Sequence, residues 1–362
     1  MQKAILFIPD ISGFTEFVHH TDIKHSGHII SELLEILIDA NISGLELAEI
    51  EGDALFFYKL CDAVDLSQIK NQIRNMYVAF HTHLKRYEYE RICQCGACSS
   101  AYNLEIKFVV HFGEIDFITV KESRKPYGSN VIQVHRLLKN DVPENEYALF
   151  TENVLGLKPH EASRTNLVAS YDFGEISYKY DALAHLKKEL PYVAPIPYEV
   201  PKHRLFVSQE LVNLPILELY EVISNFDYRL LWVKGIDTLE YDKNKVNRAG
   251  QKHQCLFDKN QSVSQTTVTK KAEDGQLVYG ESTTNIPLTN QVSIYYVLEK
   301  SKTGITKLNI EVYADFKLLG RLMKGILSKK LEKNLIENIK DLILLIDSGF
   351  TIKQYTTDEN AK

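Results

Sequence analysis

The first half of the chain alternates between runs typical of strands and runs typical of helices. Apolar residues at 4–8 predict a strand, and apolar residues three and four apart at 29–38 predict the helix that follows. Two further strand-like runs, 45–50 and 54–58, are joined by a short turn that contains Gly52, which predicts a tight β-hairpin. The same patterns predict a helix at 66–87, a strand at 104–112 and a helix at 131–138. This half is therefore expected to be an α+β domain.

A proline-rich stretch separates the first half from the second. Four of the ten prolines lie within 191–201, which disfavours helix and central strand and favours an extended linker. Apolar residues then recur three and four apart from 318 to 346, which predicts one long amphipathic helix that closes the second domain. Between the linker and this helix, the pattern predicts a strand at 204–207, a helix at 215–226 and strands at 279–284 and 291–298.

The composition is that of an ordinary globular protein. Hydrophobic residues make up 44% and charged residues 25% of the 362 positions, which excludes disordered, collagen-like and coiled-coil chains. A chain of this length favours two domains, each large enough to bury its own core. The expected organisation is a first domain at 1–188, a linker at 189–201, a second domain at 202–350 and a polar tail at 351–362.

Net charge and hydropathy indicate which partners and which location in the cell to expect for this chain. The net charge is −6, which gives no general attraction to nucleic acid or anionic lipid and leaves only local basic patches. No apolar run reaches the roughly 18 to 20 residues of a membrane span. The run at 4–8 is ended by Pro9 and Asp10 before it could serve as a signal peptide. A cytoplasmic protein with no transmembrane segment and no nucleic-acid partner is expected.

Three of the five cysteines crowd into six residues. Cys93, Cys95 and Cys98 offer soft ligands within one turn of chain, which indicates a zinc site or a redox cluster. Structural zinc usually takes four ligands, so a fourth would come from elsewhere, and the candidates are His81, His83, His111 or a partner chain. The alternative is a group of reduced, buried thiols. The isolated Cys61 and Cys255 are expected in the core.

Two acidic residues follow strand signals in the first half. Asp10 comes directly after the strand at 4–8, and Asp53 lies in the predicted hairpin. If the hairpin pairs beside the first strand, the two carboxylates meet at one edge of the sheet, where they suit Mg²⁺ or Mn²⁺ together with substrate phosphates. Taken alone, each residue also fits a plainer interpretation, Asp10 as a helix cap and Asp53 as a turn former.

Three segments carry a resemblance to a known family. Residues 7–15 (FIPDISGFT) and 49–54 (EIEGDA) resemble the two metal-binding motifs of the class III nucleotidyl cyclases, and they occur in the right order. Residues 127–137 (YGSNVIQVHRL) resemble the later cyclase segment, in which an aromatic-glycine turn leads into a helix that carries Asn and Arg. The resemblance covers about residues 1–185 and implies the ferredoxin-like sheet of the cyclase catalytic domain.

The resemblance assigns expected functions to particular residues. It implies that a two-metal site is formed by the side chains of Asp10 and Asp53 and the backbone carbonyl of Ile11. It also implies that Arg136 stabilises charge in the transition state. The remaining implied nucleotide-binding residues are Gly13, Phe14 and Thr15 for phosphate and Glu49 for the base. Without the resemblance, an arginine on an amphipathic helix is more often a solvated surface residue.

Departures from the cyclase pattern affect the nucleoside half of the site. The family's Asn falls on Ile132, which cannot hydrogen-bond a ribose, while Gln133 beside it points elsewhere on a helix. Glu49 matches guanylate-type enzymes at the base-recognition position of the hairpin, but Lys125, near the second such position, matches neither guanylate nor adenylate type. The modified pattern resembles that of a group of uncharacterised bacterial proteins.

The second half resembles the START-like (SRPBCC, polyketide cyclase-like) helix-grip fold. The order strand, helix, several strands and long final helix is that of this fold, and Asp227, Trp232 and the stretch 235–237 fit its loose pattern. The resemblance implies an apolar cavity for a hydrophobic small molecule. Ordinary core packing explains the same helical spacing. Basic residues of the final helix are expected on a solvated face: Arg321, Lys324, Lys329, Lys330 and Lys333.

Two functional hypotheses follow. The first is a purine nucleotide cyclase or nucleotide-binding signalling protein that works as a homodimer and is regulated by an apolar ligand of its second domain. The second is a catalytically degenerate, cyclase-like scaffold or sensor that binds a lipid-like or other hydrophobic small molecule. Ile132 favours the second hypothesis, and the pair Asp10 and Asp53 favours the first.

Overall fold

The computed structural model describes residues 1–19, 23–93, 96–156, 167–171, 174–196, 199–257 and 261–350. The chain forms two compact units, of which the first holds residues 1–87 and 100–193. The second unit holds residues 88–99 and the chain from 194 onward. The predicted tail at 351–362 lies outside the described residues. Within the described ranges, no helix combines the length and the apolar character needed to cross a bilayer.

The first unit begins with a strand, two helices, a hairpin and a long helix. These are β1 (Gln2–Ser12), α1 (Phe14–His19), α2 (Ile23–Asp39), β2 (Glu46–Glu51), β3 (Ala54–Leu60) and α3 (Leu66–Glu90). A short helix α4 (Gly96–Ser100) follows along the chain, and all but its last residue belong to the second unit. The remaining elements are β4 (Glu105–Val120), β5 (Ser123–Tyr127), α5 (Ser129–Arg136), β6 (Tyr147–Thr151), α6 (Glu152–Leu155), β7 (Leu167–Tyr171) and β8 (Gly174–Ala182).

The sheet of the first unit has the order β2-β3-β1-β4-β6-β8-β7, with β5 paired to β4. Strand β1 is antiparallel to both β3 and β4, and β2 is antiparallel to β3. Along the chain, strand β1, the helices α1 and α2, the hairpin β2–β3, the helix α3 and strand β4 follow the β-α-β-β-α-β order of ferredoxin-like sheets. The predicted α+β class is confirmed.

The central position of β1 explains its continuous apolar run. Residues 4–8 are buried on both faces of the sheet, as expected for a strand with neighbours on both sides. Ala4, Leu6 and Ile8 share a core with Val134 and Leu137 at α5. Since side chains alternate between faces along a strand, Asp10 continues the face of β1 that packs toward α5.

The second unit is an antiparallel sheet with helices. Its elements after residue 194 are β9 (His203–Val212), α7 (Ile216–Ser224), α8 (Phe226–Trp232), β10 (Thr238–Glu240), β11 (Lys252–Phe257), β12 (Gln261–Val268), β13 (Gln276–Thr283), β14 (Thr289–Lys302), β15 (Ile305–Phe316) and α9 (Lys324–Asp347). The strand order is β10-β11-β12-β13-β14-β15-β9. The helix predicted at 215–226 corresponds to α7, which ends two residues earlier than predicted. Asn225 separates α7 from α8, and its side chain accepts a hydrogen bond from the Asp227 N–H to cap α8.

The final helix is shorter than its apolar pattern predicts. Helix α9 begins at Lys324 after a 3₁₀ turn at Leu319–Met323, and its buried residues lie further along, at 335, 339, 342 and 346. The prediction of one helix packed from 318 onward is wrong for its first turns. The apolar residues of these first turns keep the three- and four-residue spacing of a helix. That spacing alone does not show whether the apolar residues face the sheet or the solvent.

Residues 88–99 are joined to the second unit by specific bonds. The hydroxyl of Tyr220 donates to the carbonyl of Ile92, and the Ala249 N–H donates to the carbonyl of Glu90 at 2.9 Å. Arg91 and Arg248 form an isolated antiparallel β-bridge. The second unit is therefore assembled from two separate stretches of sequence.

Candidate functional site

Asp10 and Asp53 lie side by side at the edge where β1 meets the β2–β3 hairpin. Asp10 is opposite Ala54 in the antiparallel pairing, so Asp53 is one residue away from direct register. The two carboxyl groups are close enough for the charge of Asp10 to act on the pKa of Asp53. The Ile11 N–H donates to the Asp53 carbonyl at 3.1 Å, which fixes the hairpin to β1 at this point. The structure thus brings together the three residues for which the sequence predicted a metal site.

The two carboxyl groups resist carrying two negative charges together. Burial, and then the charge of Asp10, raise the pKa of Asp53 to about 6. Burial also raises the pKa of Asp10, although Lys107 opposes that shift. Two crowded carboxylates of this kind are stabilised by a cation. Their hard oxygen donors and their like-charge repulsion fit a divalent ion such as Mg²⁺ or Mn²⁺.

Lys107 is a member of this site that the sequence analysis missed. It is directly opposite Asp10 in the β1–β4 pairing, and its Nζ lies 3.2 Å from Asp10 Oδ2. The same ammonium donates to the Leu138 carbonyl at 3.4 Å. In the sequence, the signal was a lysine that interrupts an apolar strand. Only the register of β4 against β1 shows that this lysine meets Asp10.

The hairpin is also tied to helix α5. His135 Nε2 lies 2.8 Å from Glu51 Oε1, and its Nδ1 lies 2.7 Å from the Val131 carbonyl. Both ring nitrogens therefore face acceptors, which requires a doubly protonated ring. Burial lowers the pKa of His135, but the hydrogen bonds to Glu51 and the Val131 carbonyl and the nearby negative charges together outweigh burial, and the net pKa is raised. The ion pair holds α5 against the turn that carries Asp53.

The exposed face of α5 carries Ile132 and Arg136 one turn apart. Ile132 is 55% exposed, and Arg136 is also exposed. Asn130, in contrast, is turned toward β4, where its Oδ1 lies 2.8 Å from His111 Nε2 and its Nδ2 donates to the Glu114 carbonyl. Asn130 is engaged within the fold, so it does not replace the polar side chain that Ile132 lacks.

Glu49 and Lys125 form a partly exposed ion pair with 2.6 Å between Nζ and Oε1. Glu49 belongs to β2 and Lys125 to β5, so the hairpin and the β4–β5 ribbon meet at this pair. At the end of β1, Gly13 adopts a φ of +84°, a left-handed angle that glycine accepts readily. Phe14 then begins α1; the side chain of Thr15 lies outside the described residues.

The cysteine cluster belongs to the second unit. Cys93 and Cys98 are buried free thiols whose Sγ atoms lie within 4.8 Å of each other, while Cys95 lies outside the described residues. The proposed histidine ligands all have partners within the first unit. His81 meets Glu146, His83 faces Glu32, and His111 contacts Thr151 and Asn130. Zinc binding or redox chemistry at the cysteines stays a prediction.

Comparisons with solved structures give distant likenesses. A bacterial light-regulated adenylyl cyclase is 18% identical with a TM-score of 0.37, and the match covers 50% of this chain and 51% of that chain. The chain thus spans about half the length of that cyclase. The di-domain ARO/CYC BexL from the BE-7585A biosynthetic pathway is 10% identical with a TM-score of 0.33, covering 39% of this chain and 46% of that chain.

Comparisons of sequence give a closer relationship. The model of the family described as "Protein of unknown function (DUF2652)" matches residues 30–147. The "Uncharacterized protein Rv2561/Rv2562" of Mycobacterium tuberculosis (strain ATCC 25618 / H37Rv) is 33% identical over 180 residues, which cover 49% of this chain and 80% of that protein. The chain belongs to the same family as this Mycobacterium tuberculosis protein.

Proposed function

We propose that the first unit is a class III nucleotidyl cyclase-like domain that acts on a purine nucleoside triphosphate. The observation that carries this proposal is the adjacent pair Asp10 and Asp53 at the edge of the sheet, with Lys107 beside Asp10. In the reaction, the ribose 3′-oxygen bonds to the α-phosphorus and the bond from that phosphorus to the α–β bridging oxygen breaks. Pyrophosphate leaves, and the proton of the hydroxyl passes to water.

The residues of the site suit this reaction. Asp10, Asp53 and the Ile11 carbonyl would hold Mg²⁺ or Mn²⁺, which supplies positive charge for the phosphates and lowers the pKa of the attacking hydroxyl. Lys107 adds a fixed positive charge beside the carboxylates, suited to a phosphate oxygen. The turn at 13–15 offers backbone N–H groups, and Arg136 offers a guanidinium for the transition state. Catalysis by such a site rests on positioning and electrostatics.

A homodimer is proposed to complete the site. Exposed apolar side chains on three elements of the first unit support a second copy binding there: Ile50 on β2, Ile118 and Val120 on β4, and Ile132 on α5. Glu49 and Lys125 would then read the base. A carboxylate accepts from the N1–H and amino group of guanine, and an ammonium donates to its O6. The pair therefore supports GTP as the preferred substrate.

The second unit is proposed to be a START-like domain that binds an apolar small molecule and regulates the first. Its seven-stranded antiparallel sheet, and the helix α9 that buries one face, support the assignment. Within its apolar core, Arg229, Glu281 and Tyr279 form a buried polar cluster. A few polar groups in an apolar surrounding are typical of pockets that orient one ligand.

The proposal is tested by incubating the purified full chain with GTP or ATP and Mn²⁺ or Mg²⁺. Cyclic nucleotide and pyrophosphate are expected in equal amounts, with GTP preferred, and the active species is expected to be a dimer in analytical ultracentrifugation. Turnover by a strictly monomeric protein would contradict the shared site. A folded dimer that binds GTP and yields no cyclic product would transfer the assignment to the second candidate function.

That second candidate is a cyclase-like domain that binds nucleotide without turnover. The observation that favours it is the exposed Ile132 on the face that also carries Arg136. The sec-butyl side chain of isoleucine cannot hydrogen-bond a ribose, so the sugar is held less firmly during attack.

Replacing Ile132 by asparagine is expected to raise the rate of cyclic nucleotide formation. One recovered hydrogen bond is worth about 1 kcal/mol, which corresponds to roughly fivefold in rate. Because Ile132 is exposed, thermal stability should change little. Initial rates of Ile132→Asn and wild type measure the effect, and Val168→Asn, another exposed apolar position of this unit, is the matched control. An equal gain in both variants would argue against a ribose contact.

A further inference from the structure

The surface at the start of α9 exposes a cluster of large apolar side chains. Its members are 43–86% exposed and lie within nine consecutive residues: Leu318, Leu319, Leu322, Met323 and Ile326. Single exposed apolar residues are normal on globular proteins, but a contiguous group marks an interaction surface. These five residues are called the 318–326 surface.

The backbone beneath the 318–326 surface is firmly packed. A Cβ added at Gly320 would lie 2.0 Å from the Leu288 carbonyl oxygen, so the turn approaches the β13–β14 connection as closely as glycine permits. The same carbonyl accepts the Lys317 N–H at 3.0 Å. On the opposite side, Leu327 and Leu331 pack into the core of the unit. The fold therefore presents the apolar side chains outward from a fixed turn.

The rim of the 318–326 surface is basic. Between residues 317 and 333 the only acidic residue is Glu332, although the whole chain carries a net charge of −6. The basic residues of this stretch are Lys317, Arg321, Lys324, Lys329, Lys330 and Lys333. The local charge is thus opposite to that of the molecule. An apolar centre with a cationic rim is complementary to a partner that is apolar inside and anionic at its surface.

We propose that the 318–326 surface docks on an anionic lipid bilayer. The apolar side chains insert at the boundary between headgroups and acyl chains, and the basic side chains contact the anionic headgroups. A bilayer fits better than a protein partner, because the cluster consists of leucine, isoleucine and methionine and lacks the tryptophan and tyrosine anchors of protein interfaces. The proposed attachment is peripheral, because it uses only the side chains of this surface and its basic rim. The proposal is independent of any cyclase activity.

The test is co-sedimentation of the full chain with phosphatidylcholine vesicles that contain or lack phosphatidylserine. Binding is expected only with phosphatidylserine and should weaken with added salt. Leu318→Asn/Leu322→Asn should lower the partition coefficient at least tenfold. Lys329→Gln/Lys330→Gln should lower it by about 25-fold, because each basic residue near an anionic surface contributes roughly fivefold. Leu344→Asn changes an exposed leucine at the far end of the same helix and should bind like wild type.

Three results would overturn the proposal. One is wild-type protein that stays in solution with phosphatidylserine vesicles at low ionic strength. Another is a loss of binding in Leu344→Asn equal to that in the paired leucine variant. The third is self-association without vesicle binding, abolished by Leu318→Asn/Leu322→Asn, which would assign the surface to a second copy. Since the replaced leucines are exposed, unchanged thermal unfolding is expected to accompany each variant and excludes misfolding as the cause.

Discussion

Replacing Asp53 by asparagine is expected to stabilise the metal-free protein and to eliminate nucleotide turnover. The pKa of Asp53 is raised to about 6, above its ordinary value of 3.8, because the carboxyl is buried beside Asp10. A carboxyl group whose pKa is raised in the folded protein stabilises the fold while the group is protonated. This stabilisation is complete below about pH 4 and is lost as the pH rises through 6. At pH 7.5 the ionised group therefore costs on the order of 1 kcal/mol after allowance for solvent screening, and asparagine removes this cost.

Thermal unfolding from pH 5 to pH 7.5 measures this effect. Wild type should lose more stability over that interval than Asp53→Asn, and Mg²⁺ or Mn²⁺ should restore wild type alone, because a ligand that binds only the folded state stabilises it. Turnover should fall by about a thousandfold or more, as expected when a metal ligand of such a reaction is removed. Asp62→Asn, an exposed position just after β3, is the matched control. Equal metal stabilisation of Asp53→Asn and wild type would exclude Asp53 as a ligand.

Replacing Arg229 by methionine is expected to destabilise the second unit by about 3–5 kcal/mol, the typical cost of leaving a buried charge unpaired. Arg229 and Glu281 are both buried, with Nη1 3.1 Å from Oε2 and a second contact between Nη2 and Oε1. Tyr279 donates to the same carboxylate at 2.6 Å. Burial acts to raise the pKa of Glu281, but the charge of Arg229, together with smaller contributions from His253 and Tyr279, outweighs burial and lowers the pKa. The carboxylate therefore depends on its partner to remain ionised.

Urea unfolding followed by tryptophan fluorescence measures the loss. Trp232 is the single tryptophan and is buried close to Arg229, so its emission reports on this unit alone. Arg229→Met/Glu281→Leu should recover most of the lost stability, because no charge is then left unpaired. Lys307→Met removes one side of a partly exposed pair with Glu299 and should cost less than about 1 kcal/mol. A cost for Arg229→Met as small as that of Lys307→Met would contradict the buried pair.

The sequence pattern predicted those features of the structure that depend on residues close together in the chain. The apolar run at 4–8 gave a central strand, and Gly52 gave the hairpin turn, since both depend on short-range chemistry. The pairing of Asp10 with Lys107 depends instead on the register of β1 against β4, and these residues are far apart in sequence. The outward direction of Leu322 depends on the contact of Gly320 with Leu288, which helical spacing does not contain.

The assignment of residues 88–99 is also beyond sequence pattern, because it depends on bonds to Tyr220 and Ala249. These bonds have a consequence for folding during synthesis on the ribosome. The chain passes between units after residues 87, 99 and 193, so a segment emerges early whose partners are translated more than a hundred residues later. Domains usually fold as they emerge, the N-terminal one first. Residues 88–99 therefore stay without these two partners until the second unit has been made.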